Sequence, residues 1–438
     1  QSETYYAGAF RGDEISDFTY NYTLGTTNVK NTAFYYYEHE GTQVRAINAG
    51  TDDAMARTDT YKGKVGNVIT TTADPVQLVD LPLDHYYIVI NGERVPPEGI
   101  YGTLSMDVEI LSQLGTDPQY QFEETDEYVQ FTINGTTYYY IDQNEVNEDL
   151  WNYHARQSQT FYSTQMGKGD EISNYSYNYD STGANIKSTS VFFYGTDTFT
   201  RAKDVEDIDL AMNRSLSYKN AVTGDTFDQI TINNQTGDAD YLINLTSDTV
   251  YYGTVKGDEI ADYAWNYSIR KTSTGAADNS VLKSTTFYYY EAKDINGNPI
   301  APARADDTAV TSDSAMKISN TYKDTSKLYT ETGNELKIQS QTYYEGAKTD
   351  EISNYSWNYQ VGTTTIKNTS VFFYGADNLR AGDVMDTELA MSRSLSYKGD
   401  LAEVNLGDIA ITGGDAVYLI NLTSDTVYYG TVKGDEIA

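Results

Sequence analysis

The chain repeats itself, and this repetition limits its possible folds more than any other feature of its 438 residues. A stretch of 21 residues occurs twice without change, at 241–261 and at 418–438. The triplet Asp-Glu-Ile within it occurs five times, with Asp at positions 13, 170, 258, 350 and 435, so the intervals are 157, 88, 92 and 85 residues. A repeat unit of about 88 residues fits every interval except the first, which therefore contains an insert.

Two forms of the unit alternate along the chain. The sequence IKSTSVFFYG at 186–195 returns as IKNTSVFFYG at 366–375, whereas 29–37 and 282–290 carry a variant that ends in three tyrosines. The chain thus reads as a duplicated pair of units. The predicted divisions are unit one, the insert, units two, three and four, and a partial fifth unit, at 1–74, 75–150, 151–246, 247–340, 341–427 and 428–438.

Aromatic residues alternate with small polar ones in each unit, which predicts an all-β fold. In NYSYNY, Tyr175, Tyr177 and Tyr179 would point to one face of a strand, with Asn and Ser pointing to the other. Clusters of Gly, Asn, Asp and Thr separate such runs as turns. We expect tandem antiparallel sheets of about four to six strands per unit, stabilised by aromatic burial worth about 25 cal/mol per Å².

The insert carries its own hairpin signals. Asn91-Gly92 and Asn134-Gly135 each separate two runs of alternating apolar residues. Asn-Gly is the most favourable pair for a two-residue hairpin turn, because both positions require positive φ. The insert is therefore predicted to be a small β region.

The composition excludes several functions. The net charge of -34 argues against nucleic acid and against anionic membranes as partners. No cysteine is present, so thiol nucleophiles and Cys-zinc sites are excluded. The three histidines are scattered, which leaves few candidates for general acid–base catalysis. The repeated Asp-Glu pairs lack a calcium-loop spacing, so we expect a turn role with at most diffuse binding of Ca²⁺ or other divalent cations. We expect neither an enzyme nor a cofactor.

Several features indicate a secreted protein. The chain starts at Gln1 rather than Met, as a mature protein does after removal of a signal peptide. No stretch approaches the length of a transmembrane helix, so no membrane insertion is expected. Ten Asn-x-Ser/Thr sequons, which matter only in secreted proteins, are candidates for glycosylation: Asn21, Asn134, Asn174, Asn213, Asn234, Asn244, Asn266, Asn354, Asn368 and Asn421.

The two ends of the chain carry complementary halves of one repeat junction. The copy at 241–261 runs into an aromatic strand at 262–267, whereas no such strand follows the identical copy at 418–438. Conversely, the aromatic strand at 17–22 has no YLINLTSDTV segment before it. Either the ends pair within one chain, as in a ring or propeller, or the C-terminal segment completes another copy by strand addition. A continuation of the chain beyond Ala438 is a third alternative.

We favour pairing between copies, since exposed strand edges are templates for pairing. The contact would join residues of the last repeat to residues of the first aromatic strands. The candidate assembly residues are Tyr418, Ile420, Leu422, Val427, Tyr428, Tyr429, Tyr5, Tyr6, Phe18, Tyr20 and Tyr22.

Repeats such as DEISNYSYNY and TSVFFYG, together with the acidic balance, the sequons and the absence of cysteine, resemble archaeal cell-surface structural proteins. The resemblance is to subunits of sheaths, surface layers and β-rich filaments, and it leaves the insert out. It implies a non-enzymatic, self-assembling extracellular glycoprotein whose partners are copies of itself. The alternative is a monomeric repeat adhesin or carbohydrate-binding protein, in which exposed aromatic rows would stack on cell-surface glycans.

Overall fold

A computed structural model describes most of the chain outside the insert. The described residues are 2–8, 14–23, 26–65, 156–195, 198–207, 209–324, 326–387, 389–401, 406–430 and 433, with five short strands between 66 and 155. The predicted all-β class is confirmed, because 53% of the chain forms strands and 6% is helical. Among the described residues, the helical turns are Ala46–Asn48, Ala202–Asp204, Thr226–Gln229, Glu335–Lys337, Ala381–Asp383 and Leu406–Asp408.

Seventeen long strands form one sheet, and their repeated sequences allow them to be described as four sets of four plus one further strand. The first set is β1 Ser2–Ala7, β2 Ile15–Tyr22, β3 Val29–His39 and β5 Met55–Lys62. The second is β11 Arg156–Ser163, β12 Ile172–Tyr179, β13 Ile186–Tyr194 and β15 Met212–Lys219. The third is β16 Leu245–Tyr252, β17 Ile260–Lys271, β18 Ala277–Lys293 and β20 Met316–Lys323. The fourth is β21 Ile338–Glu345, β22 Ile352–Tyr359, β23 Ile366–Tyr374 and β25 Met391–Lys398, and β28 Leu422–Val427 follows it.

Shorter strands complete the structure. Four of them belong to the same sheet: β4 Thr42–Arg45, β14 Thr200–Arg201, β19 Pro299–Ala303 and β24 Leu379–Arg380. The others are β6 Ile88–Ile90, β7 Glu93–Val95, β8 Tyr120–Glu124, β9 Val129–Ile133, β10 Thr136–Tyr140, β26 Ile411–Thr412 and β27 Asp415–Ala416. The two hairpins predicted in the insert are confirmed, since β6 pairs with β7 and β9 pairs with β10 in antiparallel register.

The long strands form a continuous antiparallel meander in which each strand pairs with the next. The first strand of each set meets the second with a recurrent bulge. Phe161 lies opposite Tyr175, for example, and Tyr343 lies opposite Tyr355. The sheet is open among the described strands: β1 pairs only with β2, β28 pairs only with β25, and no pairing joins β1 to β28.

One face of the sheet carries the aromatic and aliphatic rows, and the connections after the fourth strand of each set cover it. In the second set, Val191, Phe193, Leu216 and Tyr218 are fully buried beneath Ile230 of such a connection. Residues between them point to the opposite face. That face carries small hydroxyl side chains that are also buried, namely Ser176, Ser215, Ser319, Ser356 and Ser394.

The sheet coils back on itself. Lys30, at the start of β3, donates from Nζ to Oδ1 of Asp350, just before β22, at 2.5 Å. Ten long strands lie between β3 and β22, and in a flat sheet with about 4.8 Å between strands they would hold these residues roughly 50 Å apart. Twist and coiling therefore bring the first set against the fourth.

Candidate assembly interface

The junction between the second and third sets buries an ionic cluster. The carboxylate of Asp248 on β16 has no solvent exposure. Arg214 on β15 donates to its two oxygens from Nε and Nη2, at 2.7 Å each. Lys327, in the connection after β20, donates to Oδ2 at 3.4 Å. A buried carboxylate is tolerated only when it is paired in this way.

An aromatic ring on β17 closes this cluster from the other side. Trp265 lies opposite Asp248 in the β16–β17 pair and is fully buried. The guanidinium of Arg214 lies 4.8 Å from its ring centre, and Nζ of Lys327 lies 3.9 Å from it. Both distances fit cation–π contact. We call Asp248, Arg214, Lys327 and Trp265 the junction cluster.

Strand β28 reproduces one half of this arrangement. Asp425 pairs with Arg393 on β25, whose Nε and Nη2 donate to its two oxygens at 2.6 and 2.5 Å. Arg393 also donates to the carbonyl of Gly414, as Arg214 does to that of Gly237. Asp425 is nevertheless 29% exposed, because no described strand covers the second edge of β28 as β17 covers that of β16.

The segment that contains β28 is anchored on one side and exposed on the other. Tyr418 and Leu422 pack against the buried core formed by Leu401, Ile409 and their neighbours. The Tyr397 hydroxyl donates to the carbonyl of Tyr418 at 3.0 Å. Several large apolar side chains of this segment are exposed, and they are Val417, Leu419, Ile420, Val427 and Tyr429.

The opposite edge of the sheet is formed by β1, which pairs with β2. Tyr5 stacks on buried Phe18 with ring centres 4.4 Å apart, and Tyr6 is 63% exposed. Glu3 lies opposite Tyr20, as Asp248 lies opposite Trp265. Tyr22 and Tyr5 donate hydrogen bonds to the Glu3 carboxylate at 2.8 and 3.0 Å, and these bonds lower the pKa of Glu3.

Beneath β1 lie the remaining parts of a junction cluster. Tyr20 is buried, and its hydroxyl donates to the carbonyl of Val65 at 3.0 Å, as Nε1 of Trp265 donates to that of Leu328. Nζ of Lys64 lies 5.3 Å from the ring centre of Tyr20, in the place of Lys327 over Trp265. Lys64 itself is exposed.

The predicted assembly residues thus form two groups at opposite edges, and the fold of one chain does not bring them together. One group lies on β28 and beside it, where the Tyr428 hydroxyl contacts Oγ of Ser394 at 3.1 Å. The other lies on β1 and β2. The charged residues of the junction were missed from the sequence, because Arg393 and Asp425 lie 32 residues apart and only the pairing of β25 with β28 brings them together.

In the three described internal turns, the Glu of each repeated Asp-Glu pair accepts a hydrogen bond from the backbone of the sheet. Glu171, Glu259 and Glu351 each accept a hydrogen bond from the first backbone N–H of a strand two places back, at 2.6–2.9 Å. The donors are Met55, Met212 and Met316. Among the described residues, no group of three or more Asp, Glu or His side chains could hold a metal ion.

The sequon asparagines differ in accessibility. Asn21, Asn213 and Asn266 lie on strands, and each donates from Nδ2, the atom that would carry a glycan. Asn174 and Asn354 accept from Arg201 and Arg380. Asn368 is half-buried, Asn244 and Asn421 have left-handed φ just before β16 and β28, Asn234 is exposed, and Asn134 lies outside the described residues.

No protein-family model matches this chain, and no curated protein matches it either. Within the part of the chain that the structure describes, no helix is both long and apolar enough to cross a membrane.

Proposed function

We propose that this protein is a non-enzymatic structural subunit that polymerises head to tail outside the cell through pairing of its edge strands. One observation carries the proposal: β16 and β28 have the same sequence, but only β16 lies between two strands. A second copy that supplies a strand beside β28 would enclose Asp425 and cover Val427. A repeated contact of this head-to-tail kind generates rings or filaments.

The aromatic rows favour this function over carbohydrate binding. Sugar stacking requires exposed ring faces, whereas Tyr218, Trp265 and Tyr397 are fully buried. Their rings instead build the cores that hold the sheet together. An extracellular location, in a sheath, surface layer or filament, is supported by the sequons and by the resemblance to archaeal surface proteins.

The exposed edge of β28 can be blocked without touching β25. The N–H of Tyr428 donates to Ser392 of β25 at 2.9 Å, so the N–H of Val427 points away from β25 by strand alternation. Val427→Pro removes that outward donor, which edge strands tolerate. Val427→Thr, which keeps the donor, is the matched control.

Negative-stain electron microscopy of these proteins, with and without Ca²⁺, tests the proposal. Divalent cations are included because a charge of -34 opposes close approach of copies. We expect ordered rings or fibres from the unmodified protein and from Val427→Thr, and dispersed particles from Val427→Pro. Dispersed particles from the unmodified protein under both conditions would refute the proposal, as would normal polymers from Val427→Pro.

A further inference from the structure

Strands β1 and β28 occupy equivalent places in the sheet. Strand β16 lies between β15, the fourth strand of one set, and β17, the second strand of the next. Strand β28 has the first of these two neighbours, and β1 has the second. Since neighbouring long strands are antiparallel, the first and the seventeenth run in the same direction. If β28 simply docked beside β1 of another copy, the pair would be parallel and the alternation of the sheet would be broken.

A continuous antiparallel sheet through two copies therefore has room for only one of these strands. We propose that β28 of one copy replaces β1 on β2 of a second copy, so that Asp425 and Arg393 complete a junction cluster with Lys64 and Tyr20 of that copy. This inference rests on the proposed function and adds the mechanism of joining.

The anchoring of the two strands indicates which one leaves. β28 is held by the Arg393–Asp425 pair and by the core contacts of Tyr418 and Leu422. β1 is held by six paired residues on β2 and by the stacking of Tyr5 on Phe18, while Tyr6 stays exposed. Four of the six residues of β1 are exposed, and Val427 would take the place of Tyr5 over Phe18.

The charges match the second-to-third junction and no other described one. Where the first set meets the second, and the third meets the fourth, the residue at the Asp248 position is Gln159 or Gln341. Among the first strands of the sets and β28, Asp recurs at this position only as Asp425 on β28, and the neighbouring strand β25 supplies Arg393. The matching half, with a lysine beside the ring, is formed by Lys64 and Tyr20 of the first set. These charges favour a contact in which the fourth set of one copy is followed in the sheet by the first set of the next copy.

Engineered disulfides test the exchange directly, because the chain has no cysteine of its own. Thr249 lies opposite Ala264 in the β16–β17 pair, which places Thr426 of one copy opposite Thr19 of the other. We expect oxidised mixtures of the single variants Thr426→Cys and Thr19→Cys to form a cross-linked dimer. The yield should exceed that of Thr426→Cys with Asn21→Cys, two residues out of register, by about tenfold.

A second pair locks β1 in place. Oγ1 of Thr4 lies 2.9 Å from Oγ1 of Thr19 across the β1–β2 pair, so Thr4→Cys with Thr19→Cys should form a disulfide within one chain. We expect the oxidised protein to remain monomeric and to assemble after reduction. Normal assembly of the oxidised form, with the disulfide verified by mass spectrometry, would overturn strand replacement while leaving polymerisation intact. Absence of both polymer and cross-linked dimer would overturn the proposed function as well.

Discussion

The 21 residues at 241–261 and at 418–438 are identical, yet their surroundings differ. In the internal copy, Leu245 and the Asp248 carboxylate are fully buried. In the edge copy, Leu422 is half-buried and Asp425 is 29% exposed. The difference shows that the burial of this segment depends on a neighbouring strand rather than on its own sequence.

The internal copy also contacts residues of β18 that have no counterpart in the first set. Ile243 forms a bridge with Asn279, and Ser280 donates to the carbonyl of Leu242 at 3.0 Å. Both partners lie on β18, in the long hairpin that it forms with β17. The strands of the β2–β3 hairpin are shorter, with 8 and 11 residues against 12 and 17 in β17 and β18. A junction between copies would therefore leave Ile420 less covered than Ile243.

The largest difference should appear when the two aspartates are replaced. Asp248→Ala leaves Arg214 buried without its carboxylate, so we expect a loss of about 3–5 kcal/mol in the free energy of unfolding. Asp425→Ala should cost about 1 kcal/mol in the monomer, because water reaches this pair. Urea denaturation of the two monomeric variants provides the comparison, and equal losses would contradict it.

Leucine truncation should give the next largest difference. Leu245→Ala empties a fully buried site, and we expect it to cost about 2–5 kcal/mol. Leu422→Ala should cost about 1–2 kcal/mol in the monomer, because its site is half-open. In assembled protein the cost at Leu422 should rise towards that at Leu245. A cost that does not change on assembly would show that the edge stays uncovered.

The lysines extend the comparison to the other half of the junction. Lys327→Met removes a side chain that is 13% exposed and contacts Asp248 and Trp265, so we expect a loss of about 1–3 kcal/mol in stability. Lys64→Met should change monomer stability by less than about 0.5 kcal/mol, because Lys64 is exposed. It should weaken assembly, measured by sedimentation, whereas Lys62→Met should not. Unchanged assembly of Lys64→Met would remove Lys64 from the interface.

The smallest effect concerns Glu3, which helps to hold β1. Its pKa is lowered from 4.5 by hydrogen bonds from Tyr22 and Tyr5, so its contribution is present above pH 4.5 and is lost as the pH falls through the lowered pKa. Glu3→Gln should therefore speed assembly by about twofold at pH 7. Its rate relative to the unmodified protein should approach one as the pH falls below the lowered pKa of Glu3. A ratio that is independent of pH would show that Glu3 does not restrain β1.

Much of the fold could be predicted from the sequence, because alternation fixes which residues share a face of a strand. The rows at Tyr175, Tyr177 and Tyr179 and the two Asn-Gly hairpins are local signals of this kind. The junction cluster was not predictable, because Lys327 reaches Asp248 across 79 residues and only the register brings them together. The coiling that joins Lys30 to Asp350 is likewise a property of the whole twisted sheet.

Hydrogen exchange of the amides of β28 and β16, before and after assembly, tests the central claim most directly. By strand alternation from Tyr428, the outward amides are those of Asp425 and Val427, which correspond to Asp248 and Val250 of β16, opposite Trp265 and Tyr263 of β17. In the monomer we predict protection of the β16 amides and rapid exchange of their β28 counterparts. In the assembled protein we predict that the β28 amides become as protected as those of β16. Amides of β28 that still exchange rapidly in the polymer would contradict the account.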